Sequence, residues 1–180
     1  MNSGYKNSFF CSFRGVMVLL VLFLSMMGMM RYTAGIVYKL SGGYGIIDLT
    51  FAPTPDHTAA ALMSLNESAA KFYRWVFLSV DFVYVLAYCT FYRCTLRYML
   101  QKNHAALHII NRLTMLPVIG GIADLAENTL IFIMLGTGSA PTAVCVMLMI
   151  FNVIKFLFVY SALMIVIGGT LCQLRELLSS

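Results

Sequence analysis

Four long apolar runs, almost free of charge, leave this chain few ways to fold. The first, Gly15–Met30, contains no charged residue and extends past Arg31 towards Tyr38. The second, Trp75–Tyr92, holds only Asp81, and the third, Leu113–Leu135, holds only Asp124 and Glu127. The fourth, from Thr142 to Gly169, holds only Lys155. A helix rises 1.5 Å per residue, so about 20 residues cross about 30 Å of hydrocarbon. Each run approaches or meets that length. Only 11% of the 180 residues are charged and 61% are hydrophobic, whereas a soluble domain carries about a quarter charged residues.

The predicted fold is therefore all-α: a four-helix transmembrane bundle forming a single integral membrane domain over residues 1–180. Its spans are about 15–38, 72–98, 113–135 and 142–169, with a long loop over 39–71. Within that loop Thr54–Leu65 reads as a short interfacial helix, with Pro55 in its first turn and Thr54 or Asp56 as its cap. Lys6 and Arg14 before the first run also fit a signal peptide. Bulky Tyr32 at the possible cleavage site, "YTA", argues for retention.

The connections set the orientation. Between spans 2 and 3 lie Arg93, Arg97, Lys102 and Arg112 with no acid, whereas the charges of the 39–71 loop nearly cancel. The positive-inside rule predicts that the basic loop and both termini are cytoplasmic. The long loop and the short "GTGSAP" turn then face outward, in the cell membrane or, in a eukaryote, the endoplasmic reticulum. The net charge of +5 is spread over span edges. That pattern suits anionic lipid headgroups and excludes nucleic acid as a partner. Membrane lipids are the expected surroundings.

Other motifs carry little chemistry. Five cysteines (Cys11, Cys89, Cys94, Cys145, Cys172) include no C-x-x-C pair, so no metal site or cofactor is expected from them. Cys11 is a candidate for acylation. His104 and His108 share a helical face but lack further ligands at metal spacing. Asn66–Ser68 is a glycosylation sequon, and Trp75 with Tyr73 reads as an aromatic belt at the interface.

The informative residues sit inside the spans. Counted inward from the same surface, Asp81 lies about 10 Å deep, Glu127 and Asp124 about 12 and 16 Å, and Asn152 and Lys155 about 16 and 21 Å. Three spans running in alternating directions thus place their polar groups in one slab. On span 3, Pro117, Gly120, Gly121, Asp124, Glu127, Asn128 and Ile131 share a face. On span 2 the stripe is Arg74, Asp81, Tyr84, Tyr88 and Tyr92, and on span 4 it is Cys145, Leu148, Asn152, Lys155 and Phe156. These faces are predicted to turn inward, because an ion exposed to lipid costs at least a few kcal/mol. Lys155 is the expected counter-ion of Asp124 or Glu127, and Arg31 that of Asp81. Three acids then face one deep base and one shallow one, so one carboxyl is expected to be neutral.

"IIDLTFAPTPDHTAAALMSL", "DFVYVLAY", "LPVIGGIADLAENTLI" and "NVIKFLFVYSAL" together resemble a group of small four-span integral membrane proteins without an established function. The sharpest element is the Asp-x-x-Glu-Asn of Asp124–Asn128. The resemblance implies the four-span architecture and places Asp81, Asp124, Glu127, Asn128 and Lys155 at pattern positions.

The leading expectation for function is an intramembrane pocket for a small amphipathic or lipid-like ligand. Asp124 and Glu127 would bind, Lys155 would hold them, and Asp81 with Tyr84 and Tyr88 would shape the entrance under a lid formed by the loop helix. A proton-coupled transporter or channel subunit is the second reading, and would need a homo-oligomer. A structural subunit of a larger membrane complex is the third. No nucleophile set points to an enzyme.

Overall fold

In the computed structural model, which describes residues 12–100 and 112–179, helices form wherever the apolar runs occur. Helix α1 spans Phe13–Leu40, and the side chain of Ser12 caps it by accepting from the Gly15 amide at 3.2 Å. A single 3-10 turn follows at Ile47–Leu49, then α2 at Pro55–Met63. The Thr54 hydroxyl, not Asp56, caps α2 by accepting from the His57 amide.

The second span is continuous through three pieces: α3 (Glu67–Val76), a π-helical turn (Phe77–Asp81) and α4 (Phe82–Leu100). Helix α5 covers Leu116–Thr137 and α6 covers Thr142–Ser179. Lipid offers no hydrogen-bond partners, so a helix, which satisfies its own backbone, is the natural state for these runs. Among the described residues, four helices are long and apolar enough to cross a membrane. The chain has the architecture of a multi-pass membrane protein.

Helix ends depart from expectation by small, explicable amounts. The third helix starts at Leu116 because Pro117, which lacks an amide proton, fits the first turn. It ends where Gly138 adopts a left-handed conformation at φ 63°. The fourth continues past Gly169 to Ser179, since good helix formers follow and no proline stops it. His104, His108, Lys102, Lys6 and Cys11 lie outside the described residues.

The helices make an incomplete ring. Helix α1 packs on α4, α4 on α5 and α6, and α5 most extensively on α6, to which a four-residue turn joins it. Direct packing between α1 and α6 is almost absent. Gly120 and Gly121 allow the close approach at the centre. A methyl group on Gly120 would sit 2.8 Å from Val159 Cγ2, and one on Gly121 would run into the Cys89 sulfur. Small residues at such crossings are how helices associate in lipid.

The 41–54 connection does not stay on the surface. Ile46, Ile47 and Asp48 are buried among the helices, with Gly42, Gly43 and Gly45 at positive φ providing the reversal. Helix α2 packs on α6 and buries Thr58, Ala61 and Leu62.

Candidate functional site

Helical phase places the polar side chains where lipid cannot reach them. Asp124, Glu127 and Asn128 on α5, Asn152 and Lys155 on α6, and Asp81 at the end of the π-helical turn are all buried. The opposite face of α5, with Ile119, Ile122 and Ile133, is exposed, as a lipid-facing surface should be.

Lys155 is the hub. Its ammonium donates to Glu127 Oε2 at 2.7 Å, to Asp124 Oδ1 at 3.3 Å and to the Asp48 carbonyl at 2.6 Å. An ammonium has three donors, and each finds an oxygen here. Both candidate acids of the third span thus share this one base. Asn152 works from the same face of α6, three residues before Lys155. Its amide nitrogen donates to Glu127 Oε1 at 2.8 Å, and its oxygen accepts from the Ala52 amide at 2.8 Å. Asn128 donates to Asp124 Oδ1 at 3.1 Å and also to Asp81 Oδ2. The Tyr88 hydroxyl donates to Asp124 Oδ2 at 2.9 Å, so this tyrosine does more than pack. Tyr84 is half-buried and stacks edge-on against Tyr88.

Asp48, from the connection between the first two spans, belongs to the same cluster although spacing along the spans did not mark it. It is only 3% exposed, and its Oδ1 accepts from the Tyr73 hydroxyl at 3.0 Å. The sequence held a signal: one acid between Ile46, Ile47 and Leu49, in a loop otherwise free to be polar. Burial, the largest influence, raises the Asp48 carboxyl above its ordinary value, while the nearby Lys155 pulls it back down.

Ala52, three residues from Leu49, has φ 46°, uncommon for a non-glycine residue. The Asn152 side chain holds its amide. The polar layer is therefore closed by the 47–52 segment, and α2, expected as the lid, instead packs along α6.

Three expected placements differ. Arg31 makes no ion pair with Asp81. Its side chain is exposed along the rim of a cavity that Asp81 also lines, and Asp81 is held by Asn128 instead. Arg74 leaves the Asp81 stripe and lies 4.5 Å over the Phe132 ring. The wider π-helical turn between the two residues changes the helical phase that a regular α-helix would keep. Tyr73, expected with Trp75 in an interfacial belt, is buried and turns inward to Asp48, whereas Trp75 is exposed.

Carboxylate oxygens of Asp48, Asp81 and Asp124 lie within 4.8 Å of one another. With Glu127, four acids meet one contacting base, Lys155. Oxygen ligands so grouped can converge on one cationic group, either an ammonium or a hard metal ion. Beside them lies a cavity of about 400 Å³, bounded by Asp48, Asp81, Asp124 and Lys155 at its polar end. Its remaining walls are apolar and aromatic, from Phe23 and Met27 of α1 through Tyr92 to Phe156 and Leu163 of α6. The exposed residues at its edge are Arg31, Leu49 and Tyr160. That edge falls in the gap where α1 and α6 fail to pack.

The chain matches no protein-family model, no curated protein and no solved structure.

Proposed function

We propose that this multi-pass membrane protein binds a small amphipathic, lipid-like ligand in the cavity beside its polar layer. One observation carries the reading: a single space of about 400 Å³ has carboxylates at one end and aromatic and aliphatic side chains along the rest. Sites for small molecules are typically about 300–1,000 Å³, mostly apolar, with a few convergent polar groups. An amphiphile matches that division, with a cationic head at the acids and an apolar tail along Phe23, Met27 and Leu163. Lys155 fixes Asp124 and Glu127, while the carboxylates of Asp81 and Asp48 make no ion pair among the described residues and favour a positive charge on the ligand. Both termini are cytoplasmic in this reading, so the cavity lies nearer the outer leaflet. The surrounding lipids are its source of ligand.

The experiment is native mass spectrometry of the full-length protein released from mild detergent. A bound amphiphile at one per chain, lost on replacing Leu163 with Trp to fill the cavity, is the expected result. A wild-type chain free of small molecules would overturn the reading. Proton flux in reconstituted vesicles would then favour transport, and a stoichiometric partner protein would favour a structural subunit.

A further inference from the structure

Arg31 has no counter-ion among the described residues. It lies about 14 Å along α1 from the helix end at Leu40, on the helix with the most lipid-exposed surface. Among the described residues no acid approaches within ion-pair distance, and no hydrogen bond reaches its guanidinium. A bare arginine at such depth is costly unless it has a polar partner. Its surroundings supply one place for such a partner, the cavity whose rim it forms. The same cavity is lined by Asp81 and Asp124, whose neighbours leave negative charge in excess. The cavity thus offers a guanidinium from α1 and carboxylates from the polar layer, which make no ion pair with one another.

Resting on the ligand-binding reading above, we infer that the ligand is a single-chain zwitterionic amphiphile. Its primary ammonium faces Asp81, Asp124 and Asp48, and its oxyanion faces Arg31. A guanidinium presents paired donors that suit carboxylate or phosphate oxygens equally well. A volume of about 400 Å³ lies toward the small end of the range for small-molecule sites and favours one chain over two. The gap between α1 and α6 opens sideways, so the tail leaves the cavity between Phe23 and Leu163 into the surrounding lipid. A ligand bearing only an ammonium would leave Arg31 stranded, and one bearing only an oxyanion would meet the acids and be repelled.

The test compares four probes on the full-length protein in nanodiscs, by displacement of a fluorescent amphiphile. They are a lysophosphatidylethanolamine, a long-chain 2-amino acid, a long-chain primary amine and a single-chain phosphate monoester. At least one of the two zwitterions is expected to bind about tenfold or more tightly than both singly charged probes, as a charge-assisted contact implies. Which zwitterion wins identifies the oxyanion as phosphate or carboxylate. Arg31→Gln is expected to remove that advantage and leave amine binding unchanged, and Arg31→Lys to restore part of it. Arg31 has no hydrogen-bond or ion-pair partner among the described residues, so an unaltered thermal melt checks that Arg31→Gln folds. Amine binding as tight as zwitterion binding, with Arg31→Gln silent, would overturn the inference and leave the pocket standing with Arg31 reaching the headgroups. Binding of none of the four would remove the pocket itself.

Discussion

Replacing Lys155 with methionine is expected to be among the most damaging single changes in the bundle. Methionine keeps much of the unbranched stem, so lost packing contributes little. The loss is electrostatic: Glu127 Oε2, Asp124 Oδ1 and the Asp48 carbonyl all lose the Lys155 ammonium at once. Removing one member of a buried pair costs about 3–5 kcal/mol, because the other charge is left without compensation. Pairing Lys155→Met with Glu127→Gln removes both charges and leaves the glutamine oxygen to accept from Asn152, as Glu127 Oε1 does at 2.8 Å. The double mutant is therefore expected to be more stable than Lys155→Met alone, with a coupling within the roughly 0.5–3 kcal/mol seen for contacting residues.

The parallel cycle with Asp124→Asn should give a smaller coupling. Distance contributes modestly, since 2.7 Å against 3.3 Å changes a Coulomb interaction by only about a fifth. The larger difference is that Asp124 keeps donors from Tyr88 and Asn128, whereas Glu127 keeps only Asn152. Reversible unfolding in mixed micelles, followed by circular dichroism, measures all six variants including wild type. Additive losses in both cycles would refute the assignment of Lys155 as the shared counter-ion.

Gly121→Ala is expected to destabilise by about 1–3 kcal/mol, the usual cost of overpacking, since the added methyl meets the Cys89 sulfur. Cys89→Ala in the same chain should recover part of that loss in the same unfolding assay. Asn152→Leu should free the 47–52 segment from the bundle by removing the acceptor for the Ala52 amide, seen as faster hydrogen exchange there with α5 unchanged. Asp48→Asn tests proton linkage. A carboxyl raised by burial takes up a proton on folding, so its contribution holds at low pH and fades as pH rises from about 4 through the folded value. The variant should therefore gain on wild type between pH 4 and pH 8, and parallel stability profiles would remove this linkage. For topology, single cysteines at Ser64 and Lys102 in a cysteine-free background should label outside and inside respectively, and impermeant labelling of Lys102 alone would invert the orientation.

The sequence by itself determined the helices and most of what faces what. Long uncharged runs must be helical in lipid, and helical periodicity then assigns faces. The buried set Pro117, Gly120, Gly121, Asp124, Glu127, Asn128 and Ile131 is one 3.6-residue stripe. Common depth brought Asp81, Asn152 and Lys155 to the same layer, because rise per residue is a local property of every helix.

What periodicity could not supply is anything that depends on irregular backbone or on contacts remote in sequence. The π-helical turn at Phe77–Asp81 separated Arg74 from Asp81, and no residue type announces such a turn. Asp48 joined Lys155 across more than a hundred residues because three glycines and a left-handed Ala52 fold the connection inward. Tyr73 followed it, leaving Trp75 alone at the surface. The cavity is the most tertiary feature of all. It exists because α1 and α6 each pack on α4 and scarcely on one another, and a space between helices belongs to no single helix.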